Sequence, residues 1–196
     1  MSGITSICVF CGSSHGNAAV YRDAAFALGA MIARRGIRLV YGGARVGLMG
    51  LVADAALAHG GEVEGVLPRA LEEKELAHRG LTRLHVVGSM HERKAKMEAL
   101  SDGFIALPGG AGTLEEIFEI WTWAQLGFHE KPAAFLNVDG YFDLLASFIG
   151  QTVSAGFVRP EHRDMLIFED DPARLIDAFA AYRAPATPKW IRAEER

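Results

Sequence analysis

The sequence predicts a single α/β domain built on a doubly wound parallel sheet, and three observations lead there. Short apolar runs alternate along the whole chain with longer segments of helical periodicity. The runs, such as residues 4–10 and 104–107, are nearly unbroken, as in strands covered on both faces. Glycines and small polar residues gather where a run gives way to a helix, at residues 11–16 and 108–113. Repetition of strand, helix and strand gives parallel neighbours joined by right-handed crossovers.

Taken in order, residues 4–10 form the first strand. Ser13, Ser14 and Gly16 make the following loop, and an Ala-rich helix over 18–35 is closed by Gly36. Residues 37–41 are the second strand. The glycine loop 42–47 then opens a helix that runs to about residue 59 and stops at Gly60 and Gly61. The third strand spans 62–67, and 71–76 is at best a short helix. A strand over 84–87 and a helix over 91–101 lead to the strand 104–107. Beyond the loop 108–113, Leu114, Ile117, Phe118, Trp121 and Ala124 recur at helical spacing and turn one stripe to a core. Strands over 133–138 and 165–168 and helices over 141–155 and 172–182 complete the set. The domain is expected to cover residues 1–183, with a tail over 184–196 that is loose or docks on a neighbour.

Composition narrows the function. With 196 residues, half of them hydrophobic and 22% charged, the chain has the balance of one ordinary globular domain. A formal net charge of −4 gives no sequence-wide basic field for nucleic acid. No apolar run approaches the ~20 residues of a membrane span, and the first ten residues lack the basic and apolar regions of a signal peptide. A cytoplasmic protein is expected. Cys8 and Cys11 have C-x-x-C spacing, but three residues apart on a strand they point to opposite faces, so they read as free buried thiols.

The stretch from Pro108 to Glu116 reads PGGAGTLEE and stands between a strand and a helix. Its glycines let the backbone turn tightly and let a ligand approach without meeting a Cβ. Thr113 reads as the helix N-cap and Glu116 as its capping-box partner. A helix start with open amides and a positive dipole end is an anion site. By itself, such a loop is also read as a mere tight turn. Upstream, residues 90–97 read MHERKAKM, open the helix that leads into the same strand, and carry three cations, Arg93, Lys94 and Lys96.

Together these segments resemble the LOG (LONELY GUY) family of cytokinin-activating nucleotide phosphoribohydrolases, whose hallmark is PGGxGTxxE with an upstream Arg-Lys pair. The likeness extends to Cys11-Gly12-Ser13-Ser14, to Tyr41-Gly42-Gly43 with Gly47-Leu48-Met49-Gly50, and to Thr122-Trp123-Ala124-Gln125-Leu126-Gly127. Lys131-Pro132 and Asn137-Val138-Asp139-Gly140-Tyr141 extend it further, so that it covers residues 7–168. It implies a Rossmann-like fold and hydrolysis of the N-glycosidic bond of AMP or an N6-substituted AMP.

In that setting Glu116 is the candidate catalytic carboxylate. Breaking this bond develops positive charge on the ribose, which a carboxylate near C1′ stabilises while taking a proton from the attacking water. Arg93 either clamps the phosphate or orients Glu116, and its rigid fork suits both roles. The amides of Gly109, Gly110, Ala111, Gly112 and Thr113, with those of Leu114 and Glu115, are candidates to hold the 5′-phosphate. Ser13 and Gly43, in the loops after the first two strands, are further candidate contacts. The resemblance adds Glu75, Lys94 and Thr122 as substrate contacts, and a homodimer or larger assembly with its sites close to the subunit boundary. Thr122 lies six residues past Glu116, roughly 9 Å along a helix, so it meets the far end of the ligand or one held by a second subunit.

Other chemistries find less support. Gly42 and Gly47 have P-loop spacing, but Leu48 and Met49 stand where Lys and Ser or Thr belong. That loop is a second phosphate or ribose cradle, or only a turn. No G-x-G-x-x-G or H-E-x-x-H occurs, which disfavours a dinucleotide enzyme and a metal site. Proteins of the resembled family have been labelled lysine decarboxylases, but no Lys is singled out for a Schiff base. The competing reading is a nucleotide or cofactor carrier, which needs phosphate donors but no positioned carboxylate.

Overall fold

The computed structural model describes residues 3–72 and 76–185. Seven strands form one sheet: β1 (Ser6–Phe10), β2 (Arg38–Tyr41), β3 (Val63–Pro68), β4 (Arg83–Val87), β5 (Gly103–Ala106), β6 (Ala133–Leu136) and β7 (Leu166–Glu169). The order is β4-β3-β2-β1-β5-β6-β7, and every neighbouring pair is parallel. This is the doubly wound, Rossmann-like sheet that the sequence predicts, with all seven strands at the expected places.

Strand alternation sorts the core into two layers. Ile7, Val9, Leu39, Ile105 and Ala134 face helices α1 (Ala19–Arg34), α2 (Gly47–Ala58) and α8 (Pro172–Ala181). Cys8, Phe10, Val40, Phe104 and Phe135 face the other way, onto α4 (Met90–Ala99), α5 (Ala111–Leu126) and α6 (Asp143–Ser154). Cys8 and Cys11 therefore belong to opposite layers and are both free. Burial, the largest influence, raises both thiols well above the usual range, with nearby Glu116 adding to it, so neither is a ready thiolate.

Two short helices complete the fold. The four-residue α3 (Arg69–Glu72) lies within the expected short helical region, whose residues 73–75 are outside the described residues. The four-residue α7 (Pro160–Arg163) and a 3-10 turn over Val138–Gly140 have too few residues to show a period and were not anticipated. Of the expected tail, residues 186–196 lie outside the described residues. Among the described residues, no helix is long and apolar enough to cross a membrane.

The topology fixes where a ligand fits. β1 is followed by neighbours on one side through α1, while β5 lies on its other side, so the winding reverses between β1 and β5. Open α/β sheets bind ligands outside the carboxyl ends of the strands at such a point. The loops that leave β1 and β5 there are the Gly12–Ser14 and Gly109–Gly110 stretches singled out by sequence.

Candidate active site

These two loops touch. The Gly12 amide donates to the Pro108 carbonyl at 3.1 Å, and a Cβ on Gly109 would sit 2.8 Å from the Gly12 nitrogen. Between them opens a cleft of about 440 Å³ bordered by Ser13, Ser14, Gly109, Gly110, Tyr21 and Tyr141. A hollow of about 570 Å³ by Thr5, Asp102 and Lys131 lies at the opposite ends of the strands, where such sheets do not bind ligands.

The start of α5 departs from expectation in register. Its N-cap is Gly110 in extended conformation, with no side-chain cap, and not Thr113. Gly110 caps through backbone alone in a conformation open to any residue, and Thr113 instead turns inward at 4% exposure against Gly109. Glu116 does not close a capping box either; its carboxylate meets Arg93. The Leu114 amide already donates to the Gly110 carbonyl at 3.2 Å, and Glu115 sits one position deeper in the helix. The donors left without an intrahelical partner by this start are thus the amides of Gly110, Ala111, Gly112 and Thr113. Gly110, Ala111 and Gly112 are exposed.

Behind that first turn lies a buried ion pair. Arg93 Nη1 stands 2.9 Å from Glu116 Oε1, and the two residues are only 8% and 9% exposed. Arg93 Nε donates to the Val66 carbonyl at 3.1 Å, which aims the guanidinium from β3. A Cβ on Gly42 would fall 1.9 Å from Arg93 Nη2, so a glycine after β2 is what lets Arg93 lie there. Burial is the largest influence on Glu116 and raises its carboxyl; Arg93 pulls the other way without cancelling it.

Arg93 owes its place to the start of α4. Ser89 accepts from the Glu92 amide at 3.1 Å, and the Glu92 carboxylate accepts from the Gly88 amide at 2.7 Å. The S-x-x-E spacing of Ser89 and Glu92 is that of a capping box, but the return bond goes to the amide of Gly88, one residue before the cap.

The remaining candidates are dispersed. Lys94 bridges Glu115 and Glu119 of α5, the latter at 2.9 Å. Burial is the largest influence and would lower its pKa, but these two carboxylates outweigh it and hold the ammonium above its usual value. That is the reverse of what a Schiff-base amine needs. Thr122 is exposed, and its hydroxyl donates to the Phe118 carbonyl at 2.8 Å. Gly43 turns against Val66, Leu67 and Leu84, and its carbonyl accepts from the His78 amide. At the start of α2 the Leu48 amide is taken by the Gly12 carbonyl at 3.0 Å, which favours the turn reading of the 42–47 loop. Glu75 lies outside the described residues.

A glycine loop at the switch point of a parallel sheet, with a buried carboxylate–guanidinium pair behind it, is the arrangement of a ligand-binding α/β protein of the doubly wound class. A family model described as "Possible lysine decarboxylase" matches residues 49–179. The chain is 49% identical over 176 residues to "Probable cytokinin riboside 5'-monophosphate phosphoribohydrolase LOGL2" of Oryza sativa subsp. japonica, covering 90% of this chain and 72% of that protein. It is 47% identical over 176 residues to "Cytokinin riboside 5'-monophosphate phosphoribohydrolase LOG1" of Arabidopsis thaliana, covering 90% and 83%. The chain belongs to this family, the LOG family. Among solved structures, the molybdenum cofactor binding protein of Rippkaea orientalis superposes with a TM-score of 0.68 at 23% identity, over 92% of this chain and 98% of that one. At that identity the likeness is one of fold.

Proposed function

We propose that this protein hydrolyses the N-glycosidic bond of a purine nucleoside 5′-monophosphate, AMP or an N6-substituted AMP such as a cytokinin riboside monophosphate. The products are the free base and ribose 5-phosphate. The observation that carries the reading is the buried Arg93–Glu116 pair set directly behind an open helix start. The relatives' activity, at nearly half identity over most of both chains, supports the same substrate class.

In this reading the amides of Gly110, Ala111, Gly112 and Thr113 hold the 5′-phosphate. The ribose then lies over the first turn of α5, and C1′ comes within reach of Glu116. Water adds to C1′ as the bond to the base nitrogen breaks, and the carboxylate faces the cationic sugar and receives the proton of the water. A carboxyl raised by burial is a better base than an ordinary glutamate. The 2.9 Å contact supports orientation of Glu116 as the role of Arg93. A homodimer is part of the proposal, with Thr122 near the boundary between subunits.

The carrier reading shares the fold of the Rippkaea orientalis protein but gives the buried carboxylate no task. Incubation with AMP and with isopentenyl-AMP, followed by chromatography of the products, separates the two. Hydrolysis releases adenine or isopentenyladenine, whereas a carrier returns the nucleotide intact.

A further inference from the structure

The segment after β6 takes backbone conformations that need a reason. Asp139 has φ 51°, the one positive φ outside glycine among the described residues, and Gly140 follows at φ 70°. Left-handed non-glycine residues are uncommon and persist where their surroundings hold them. Asn137 does so here, donating through its side chain to Asp143 Oδ1 and accepting the Phe142 amide, each at 2.7 Å. A Cβ on Gly140 would also fall 2.7 Å from the Asp143 carboxylate. The product of this braced bend is the position of Tyr141. Its ring borders the cleft, meets Tyr21 edge-on at 5.7 Å, and remains 44% exposed. Its hydroxyl crosses to the phosphate loop and donates to the Gly109 carbonyl at 2.7 Å.

We propose that Tyr141 is a positioning residue for the phosphate cradle: its hydroxyl pins the Gly109–Gly110 peptide in the orientation that binds the anion. The inference rests on the phosphate-binding reading set out above. In a planar trans peptide the C=O and N–H point opposite ways, so fixing the Gly109 oxygen fixes the direction of the Gly110 N–H. The peptide lies between two glycines; Gly109 packs against Gly12 and Thr113, but Gly110 has open space around it, so on that side sterics hold the peptide weakly. Without the hydroxyl a share of molecules carries this peptide turned, and apparent phosphate affinity falls by the fraction that remains competent. Bound substrate draws the loop back, so turnover at saturation is preserved.

Tyr141→Phe keeps the half-exposed ring and removes only the hydroxyl. The inhibition constant of inorganic phosphate and the KM for AMP are expected to rise together, roughly 3- to 10-fold, the range of one lost neutral hydrogen bond. At saturating AMP, kcat is expected to stay within about 2-fold of wild type, since the competent state is then filled. A phosphate titration of the melting temperature gives a readout without turnover, and its midpoint moves to higher phosphate by the same factor. Unchanged phosphate inhibition and KM in Tyr141→Phe, or a loss confined to kcat, overturns the role of Tyr141 while leaving the cradle intact. If phosphate neither inhibits nor stabilises the wild-type protein, the cradle itself is wrong and the positioning role falls with it.

Discussion

Glu116 has to be charged and buried at once, and Arg93 is what makes that tolerable. Burial raises the carboxyl, and the guanidinium 2.9 Å away partly offsets it. Glu116→Gln keeps an oxygen for Arg93 to donate to but neither takes a proton nor carries the stabilising charge. Its kcat on AMP is expected to fall ~10²–10⁴-fold, with far-UV circular dichroism unchanged. Near-wild-type turnover in that variant contradicts the assignment. Arg93→Ala tests the electrostatics separately. Arg93 lowers the Glu116 pKa, so its loss lets burial raise that pKa further. The acid limb of the kcat/KM profile should therefore move to higher pH, with activity lost more at pH 6 than at pH 8. A limb that stays put or moves down breaks the link. Breaking a buried pair also costs ~3–5 kcal/mol, so the profile is best measured at low temperature.

At the scale of elements, what the sequence disclosed depended on how local the signal was. Most strands are legible as apolar runs, β3 and β4 being interrupted by Glu64 and His85, which pair with each other, and α5 is legible because Ile117, Trp121 and Ala124 share one buried stripe. Glu116 and Arg93 were legible from their motif, but their contact was not. The Val66 carbonyl and the room left at Gly42 come from other strands and meet Arg93 only in the folded chain. Thr113 reads as a cap in sequence because T-x-x-E fits a capping box whenever a helix starts there, but the N-cap is Gly110, three residues earlier. Asp102 offers a test of element docking that is independent of the site. Its Oδ2 accepts from the amides and hydroxyls of Thr5 and Ser6 at 2.8–3.0 Å, fastening the entry of β5 to that of β1. Burial is the largest single influence on Asp102 and would raise its carboxyl, but these hydrogen bonds outweigh it and the net shift is downward. A carboxyl lowered by folding stabilises above its unfolded pKa, and that contribution fades as pH falls through the folded value. Asp102→Asn is expected to lose on the order of 1–3 kcal/mol at neutral pH in urea unfolding. The gap from wild type should narrow in acid, and a gap constant with pH would argue against the linkage.

At the scale of the molecule, the sheet gathers its loops at one end, and the homodimer proposed above sets Thr122 near a subunit boundary. Thr122 is exposed and stands six residues, roughly 9 Å, along the helix from Glu116, so in the proposed dimer it meets the far end of the ligand or one held by the partner. Light scattering is expected to give twice the chain mass, and a monomer active at full rate would remove any need for a partner. The central claim is that the helix start after Pro108 holds a 5′-phosphate and that this hold positions the bond for Glu116. Charge-assisted hydrogen bonds are worth roughly 1.5–3 kcal/mol each, and only part of that has to act in the transition state to be felt in rate. The direct measurement is kcat/KM for AMP against adenosine under one set of conditions. The nucleoside is expected to be at least ~100-fold poorer; equal values for the two would mean that the glycine loop is only a turn.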